Sequence, residues 1–255
     1  MPIGWDHPDT ARYYDAFCTQ HSRYGDANRA LIESAALRPP MRVLDWAAGT
    51  GRTAEAALEH GVEVACVEPA RAMRQVGQGL VPRAEWLEAW PEETEAFDRV
   101  LCGAAIWQML PLGEAFAPAA SALKAGGALV FNVPSLYLGE ADPPGGGRDP
   151  YLLELAARLA VGRQPHAGAV ERMPRAKEID ALLAAAGFAS SRWRWRTRLT
   201  QPALCDWMKI PPLTDALFGG LPADERAALV DAAYARCDPD SWRWETWSGW
   251  TAWKR

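Results

Sequence analysis

The run VLDWAAGTGR, Val43 to Arg52, constrains what this 255-residue chain can fold into more than any other stretch. Met41 to Trp46 is a short apolar run and predicts a buried parallel strand. Asp45 stands near its end, Gly49 and Gly51 follow, and Arg52 to Leu58 predicts a helix closed by Gly61. A glycine turn between a strand and a helix start lets a ligand approach the backbone closely, and the helix start favours an anionic group. Gly49 to Ala54 fits the dinucleotide pattern G-x-G-x-x-A. Asp45 argues against that ligand, because a carboxylate repels a pyrophosphate dianion. A ligand with an ammonium and a carboxylate on one carbon fits better. Its amine can approach the strand-end carbonyls and the acidic side, and its carboxylate can meet helix amides. S-adenosylmethionine (SAM) is such a ligand.

The run resembles the first motif of class I SAM-dependent methyltransferases, an acidic residue followed by three small residues at alternate positions. Asp45, Ala47, Gly49 and Gly51 fall on it, with Ala47 where the first glycine usually stands. Val62 to Val67 is a second β-branched run and ends in Glu68-Pro69-Ala70. An acidic residue about twenty positions downstream, at a second strand's end, is placed to grip a ribose diol. Trp86 to Trp90 resembles the family's third-strand end, Phe97 to Cys102 its fourth strand, and Leu123 to Val130 its turn into strand five. The resemblance covers residues 41 to 134 as an ordered set.

It implies a single domain of the methyltransferase fold: a Rossmann-like, mostly parallel sheet with flanking helices. It also implies a cofactor pocket lined by Asp45, Trp46, Ala47, Gly49, Gly51, Glu68 and Pro69. Glu88, or its neighbour Glu85, would read the adenine edge together with the Ala89 amide. Met73 would either pack on the adenine face or belong to the core. Cys102 and Trp107 border the pocket beyond strand four, and Tyr14 joins from the N-terminal segment. Trp107 could equally touch substrate, because an aromatic face beside a sulfonium or an amine gains roughly 0.5–2 kcal/mol.

Composition agrees with an enzyme that acts on a small molecule. Hydrophobic residues make up 49% of the chain, enough for a sizeable core. The net charge of −5 argues against a nucleic-acid backbone as the main partner. Five scattered cysteines without metal-ligand spacing suggest a reducing compartment and no metal. The first residues carry no apolar signal core, and no run reaches membrane-span length, so the expected location is the cytoplasm.

Past strand five, Gly139 to Arg148 predicts a loop or hinge in which Gly145, Gly146 and Gly147 allow movement. Asp149-Pro150 predicts a helix start, with Tyr151, Leu152, Leu155 and Leu159 following. Pro174 to Gly187 predicts another helix, Phe188 to Arg198 an alternating strand, Asp224 to Arg236 a helix, and Trp242 to Trp253 a last strand. Ligands of open parallel sheets bind beyond the carboxyl ends of the strands. Residues 1–38, 135–172 and 199–240 are therefore expected to cap a core of residues 41–134, 173–198 and 241–255.

A bound sulfonium methyl needs mainly in-line positioning, and a base only where the acceptor has a proton to lose. His166 and His21 are the candidate bases, ahead of His7 and His60. Gly103-Ala104-Ala105 after strand four is not the Asn/Asp-Pro-Pro-aromatic motif of base-amine methylation. The expected activity is methyl transfer to an oxygen or nitrogen of an enclosed small molecule. Use of the aminocarboxypropyl arm of SAM with release of methylthioadenosine is the alternative, and NAD-dependent oxidoreduction a more distant one.

Overall fold

The computed structural model describes residues 4–147, 173–218 and 221–255. His166 and the helix expected over Tyr151 to Leu159 lie outside the described residues. Two helices come first, α1 (Pro8–Gln20) and α2 (Arg23–Ala35). Strands and helices then alternate: β1 (Arg42–Trp46), α3 (Arg52–Leu58), β2 (Glu63–Val67), α4 (Arg71–Leu80), β3 (Glu85–Leu87) and β4 (Phe97–Cys102). A short 3-10 turn, Ile106–Gln108, leads to α5 (Leu112–Ala122) and β5 (Leu123–Pro134). A second 3-10 turn, Ser135–Leu138, follows β5. The remaining elements are α6 (Ala176–Ala185), β6 (Phe188–Thr200), α7 (Gln201–Met208), α8 (Pro211–Phe218), α9 (Ala223–Tyr234) and β7 (Trp242–Lys254).

The seven strands form one sheet in the order β3-β2-β1-β4-β5-β7-β6. The pairs β1–β2, β1–β4, β2–β3 and β4–β5 are parallel, whereas β5–β7 is antiparallel. This is the mostly parallel, helix-flanked sheet expected from the sequence. Parallel strands covered on both faces read as continuous apolar runs, which is why Val43–Trp46 and Ala65–Val67 are legible. One face packs Leu44, Phe97, Val100, Phe116, Phe131, Leu183 and Trp250 together, and the other packs Leu31, Val43, Val64, Leu101 and Val130. Cys66 and Cys102 are fully buried in their strands, as expected.

The chain divides into two compact units. One holds residues 24–142, 171–196 and 246–255, and therefore most of the sheet and nearly all of α2. The other holds residues 1–23, 143–170 and 197–245. In this second unit the Arg23 guanidinium forms a buried two-point ion pair with Glu245, its Nε donating to Oε2 at 2.8 Å. Lys209 bridges Asp206 at 3.1 Å and Asp231 at 2.7 Å. The glycines read as a hinge have another task there. Gly146 and Trp242 exchange two backbone hydrogen bonds of 2.9 Å, and a side chain on Gly145 would lie 2.1 Å from the Trp242 carbonyl. Close backbone approach, not freedom of movement, requires glycine at these positions.

The fit of α4 against β3 is equally tight. A Cβ at Gly77 would lie 2.1 Å from the Trp86 ring, whose indole N–H donates to the Val81 carbonyl at 3.2 Å. Alanine normally gains up to about 1 kcal/mol over glycine in a helix. At Gly77 overpacking outweighs that gain, and Gly77→Ala is expected to lower stability by about 1–3 kcal/mol in urea unfolding. An unchanged midpoint would contradict the packing described.

Candidate cofactor site

The site lies at the carboxyl ends of β1, β2 and β3. β1 ends at Trp46, and the chain turns at Ala47 (φ 58°), Gly49 (φ 57°) and Gly51 (φ 85°) before entering α3. All three occupy the left-handed region, which glycine adopts freely and alanine adopts at a cost. The turn is closed by the Ala48 amide donating to Val67 O at 3.1 Å and the Gly51 amide to Ala48 O at 2.8 Å.

Glu68 ends β2 and is buried. One carboxylate oxygen accepts from the Gly49 amide and the other from the Ala70 amide, each at 2.8 Å. The Glu68 side chain thus joins the glycine turn after β1 to the start of α4. A carboxylate offers about four lone-pair positions, so each oxygen can still accept one more hydrogen bond. Burial pushes the Glu68 carboxyl above its ordinary range, opposed by the two amides and by Arg74.

Asp45 is 1% exposed, and among the described residues neither of its oxygens has a well-formed hydrogen-bond partner, although the Ala54 amide lies close enough to favour its charged form. Burial, aided by the nearby charge of Glu68 and opposed by the Ala54 amide, raises its pKa to about 8. A buried carboxyl with so little donor support is costly, and a ligand cation or donor at this point would relieve that cost.

The other expected residues are distributed around this centre. Trp46 is buried and packs edge-on against half-buried Trp90, with ring centroids 5.1 Å apart. Pro69 is exposed at the turn into α4, and Met73 is buried on that helix. Glu88 is exposed, follows β3 directly and receives Arg74 Nη2 at 3.0 Å; Ala89 beside it is exposed. Glu85 begins β3, at the opposite end of the strand from Glu88. Cys102 is fully buried at the end of β4, where burial holds its thiol protonated, so it presents no thiolate. Trp107, on the turn after β4, is half-buried and meets Tyr137 edge-on at 5.2 Å. Tyr14 and His21 belong to the other compact unit. There Tyr14 packs edge-on against Trp5 at 5.9 Å, and His21 Nε2 lies 2.8 Å from the Asp206 carboxylate.

Two contributors were missed in the sequence reading. Arg74 donates to the Glu68 carbonyl at 2.6 Å as well as to Glu88, and so ties the turns after β2 and β3 together. Its position one turn into the helix after Pro69 was the available signal. Asn132 on β5 accepts from the Ala104 amide at 2.7 Å and donates to Ala27 O at 3.1 Å, which fixes the turn after β4 against α2. A lone asparagine in an apolar strand carries no sequence signal of such a task. No group of three or more His, Cys, Asp or Glu side chains suited to a metal ion occurs among the described residues.

Residues 19–190 match the methyltransferase-domain family, and the chain belongs to that family. The methyltransferase domain implies SAM as the cofactor, in agreement with the reading of Asp45 and Glu68. No curated protein matches the chain. Among solved structures, the YcgJ protein of Bacillus subtilis is 20% identical with a TM-score of 0.58, over 91% of this chain and 99% of that one. A Haemonchus contortus phosphoethanolamine N-methyltransferase, in complex with phosphomonomethylethanolamine and S-adenosylhomocysteine, is 17% identical with a TM-score of 0.53. That match covers 90% of this chain and 52% of that one. The cyclase SpnF is 16% identical with a TM-score of 0.55, over 89% of this chain and 79% of that one. These likenesses share the fold.

The raised pKa of Asp45 links protonation to folding. Unfolding releases the carboxyl to its ordinary value near 4, so between pH ~4 and ~8 the unfolded chain binds fewer protons than the folded one. The Asp45 contribution to stability is fully present below pH ~4 and is lost as pH rises through about 8. In ligand-free protein, Asp45→Asn is expected to flatten this decline, shifting the difference between pH 5 and pH 8 by a few kcal/mol (order of magnitude). Parallel urea titrations across that range measure it, and identical slopes in both proteins would contradict the assignment.

Proposed function

We propose that the chain transfers the sulfonium methyl of SAM to an oxygen or nitrogen of an enclosed small molecule. The observation that carries the cofactor half is Glu68, buried and fixed by the Gly49 and Ala70 amides with acceptor capacity remaining for a ribose diol. Asp45 offers a buried, unpartnered carboxyl for the amino-acid end, and Glu88 and Ala89 stand exposed at the β3 end for the adenine edge. Bound SAM supplies an already activated methyl group, so the protein's task is to orient the acceptor and exclude water.

His21 is the preferred base over His166. A histidine hydrogen-bonded to a carboxylate, as His21 is to Asp206, is held in orientation. The net charge of −5 supports a small-molecule acceptor over nucleic acid, and the H. contortus neighbour, named as an N-methyltransferase, supports nitrogen among the acceptors. Among the described residues all five cysteines are free and no helix is long and apolar enough to cross a membrane, which fits the cytoplasm.

A second reading keeps the SAM site without methyl transfer. The similar fold of the cyclase SpnF supports it. Mass spectrometry after incubation with SAM and a metabolite extract separates the two. Methyl transfer is expected to yield S-adenosylhomocysteine and a product heavier by one methylene. Methylthioadenosine as the enzyme-dependent product would instead establish use of the aminocarboxypropyl arm.

The role of Glu68 is tested separately. Glu68→Ala is expected to weaken SAM binding by about 2–4 kcal/mol in titration calorimetry, since hydrogen bonds to a charged group contribute roughly 1.5–3 kcal/mol each and do not add fully. It also leaves the Gly49 and Ala70 amides without their acceptor, so stability is expected to fall by about 1–3 kcal/mol. Glu68→Gln retains one acceptor oxygen and is expected to lie between. An unchanged SAM affinity in a folded Glu68→Ala protein would remove Glu68 from the site.

A further inference from the structure

Beside the glycine turn, α2 contributes a buried polar group that lacks a partner among the described residues. Asn28 is 5% exposed, and among the described residues its side-chain oxygen makes no hydrogen bond. A Cβ at Gly103, just after β4, would lie 2.7 Å from that oxygen and 2.5 Å from the hydroxyl of Thr53, so the two oxygens converge over one backbone position. Thr53 is in the first turn of α3, and the Ala54 amide that follows it is the one that acts on Asp45. Asn28, Thr53 and Asp45 therefore bring oxygens from α2, α3 and β1 to the start of α3, and those of Asn28 and Asp45 are unsatisfied. The absence of a side chain at Gly103 is what lets the two oxygens come this close to the backbone.

An amide oxygen, a hydroxyl and a carboxyl suit a donor with several N–H groups and no acceptor. An ammonium has three such donors and a positive charge. A ligand carboxylate would instead face the Asn28 oxygen, which offers it no proton, and would be repelled by Asp45 whenever Asp45 is ionised. We infer that Asn28 is a cofactor-contacting residue that receives, together with Thr53 and Asp45, the α-ammonium of SAM. This rests on the proposed SAM site and assigns one of its contacts to a helix that lies outside the glycine-turn motif.

Three probes isolate the contact in calorimetry: S-adenosylhomocysteine, its decarboxylated analogue, which keeps the amine, and methylthioadenosine, which lacks the amino-acid arm. Asn28→Ala is expected to weaken the first two about tenfold or more and to leave methylthioadenosine unchanged. Asn28→Asp, which keeps an oxygen acceptor at the same reach, is expected to restore affinity for the two amines. Equal affinity of wild type and Asn28→Ala for both amines overturns the inference. So does an equal loss for all three probes, or an Asn28→Asp protein as weak as Asn28→Ala. If S-adenosylhomocysteine shows the Asn28→Ala loss and the decarboxylated analogue does not, the oxygens serve the carboxylate end and the inference fails. Wild-type protein that binds none of the probes overturns the SAM reading itself, and the inference with it.

Discussion

The carboxylate of Glu68 is the interaction on which the site depends. It is attached to one strand end and accepts from the backbone of another, so the turn after β1 and the turn after β2 cannot shift independently. Arg74 extends the same tie to the turn after β3 through the Glu68 carbonyl and Glu88. Three strand ends that parallel pairing alone would leave free above the sheet are thereby fixed relative to one another. The cost is a carboxylate held out of water, partly offset by two amide donors and a nearby guanidinium.

Asp45 presents the opposite case. It is more deeply buried than Glu68 and has only the Ala54 amide to favour its charge, so it favours the neutral form in the ligand-free chain. Two carboxyls on neighbouring strand ends thus differ in what they have left to offer. Glu68 already serves the fold and has lone pairs in reserve, whereas the bonding capacity of Asp45 is largely uncommitted. Cys66 and Cys102, on the strands flanking β1, are held as neutral thiols by burial and add no charge to this environment.

Much of the sheet and the glycine turn was legible because the physics there is local. Val43–Trp46 and Glu63–Val67 announce themselves as apolar runs, and Gly49 and Gly51 as positions that need left-handed backbone. The α3 range, Arg52–Leu58, and the β4 range, Phe97–Cys102, agree with the sequence reading to the residue. What was not legible depends on partners distant in sequence. The run from Trp242 to Trp253 marks a strand, but nothing in it says that β7 lies between β5 and β6 and runs antiparallel to β5. Gly145 to Gly147 read as a hinge because the opposing backbone, Ser241 to Arg243, is almost one hundred positions away. The fixing roles of Arg74 and Asn132, and the open oxygen of Asn28, emerge only when helix and strand ends are set side by side.

The turn at Ala47, Gly49 and Gly51 is already bonded to β2 and to Glu68 before any ligand arrives. A ligand that settles on it does not have to freeze a floppy loop first, so little conformational entropy is lost at this end of the site. Association there should approach docking onto a rigid surface, with discrimination among related nucleosides expressed mainly in how long they stay. Ala47 sharpens this further. Its methyl group narrows the conformations open to the unfolded turn, so a backbone that is strained when folded is also less free when unfolded.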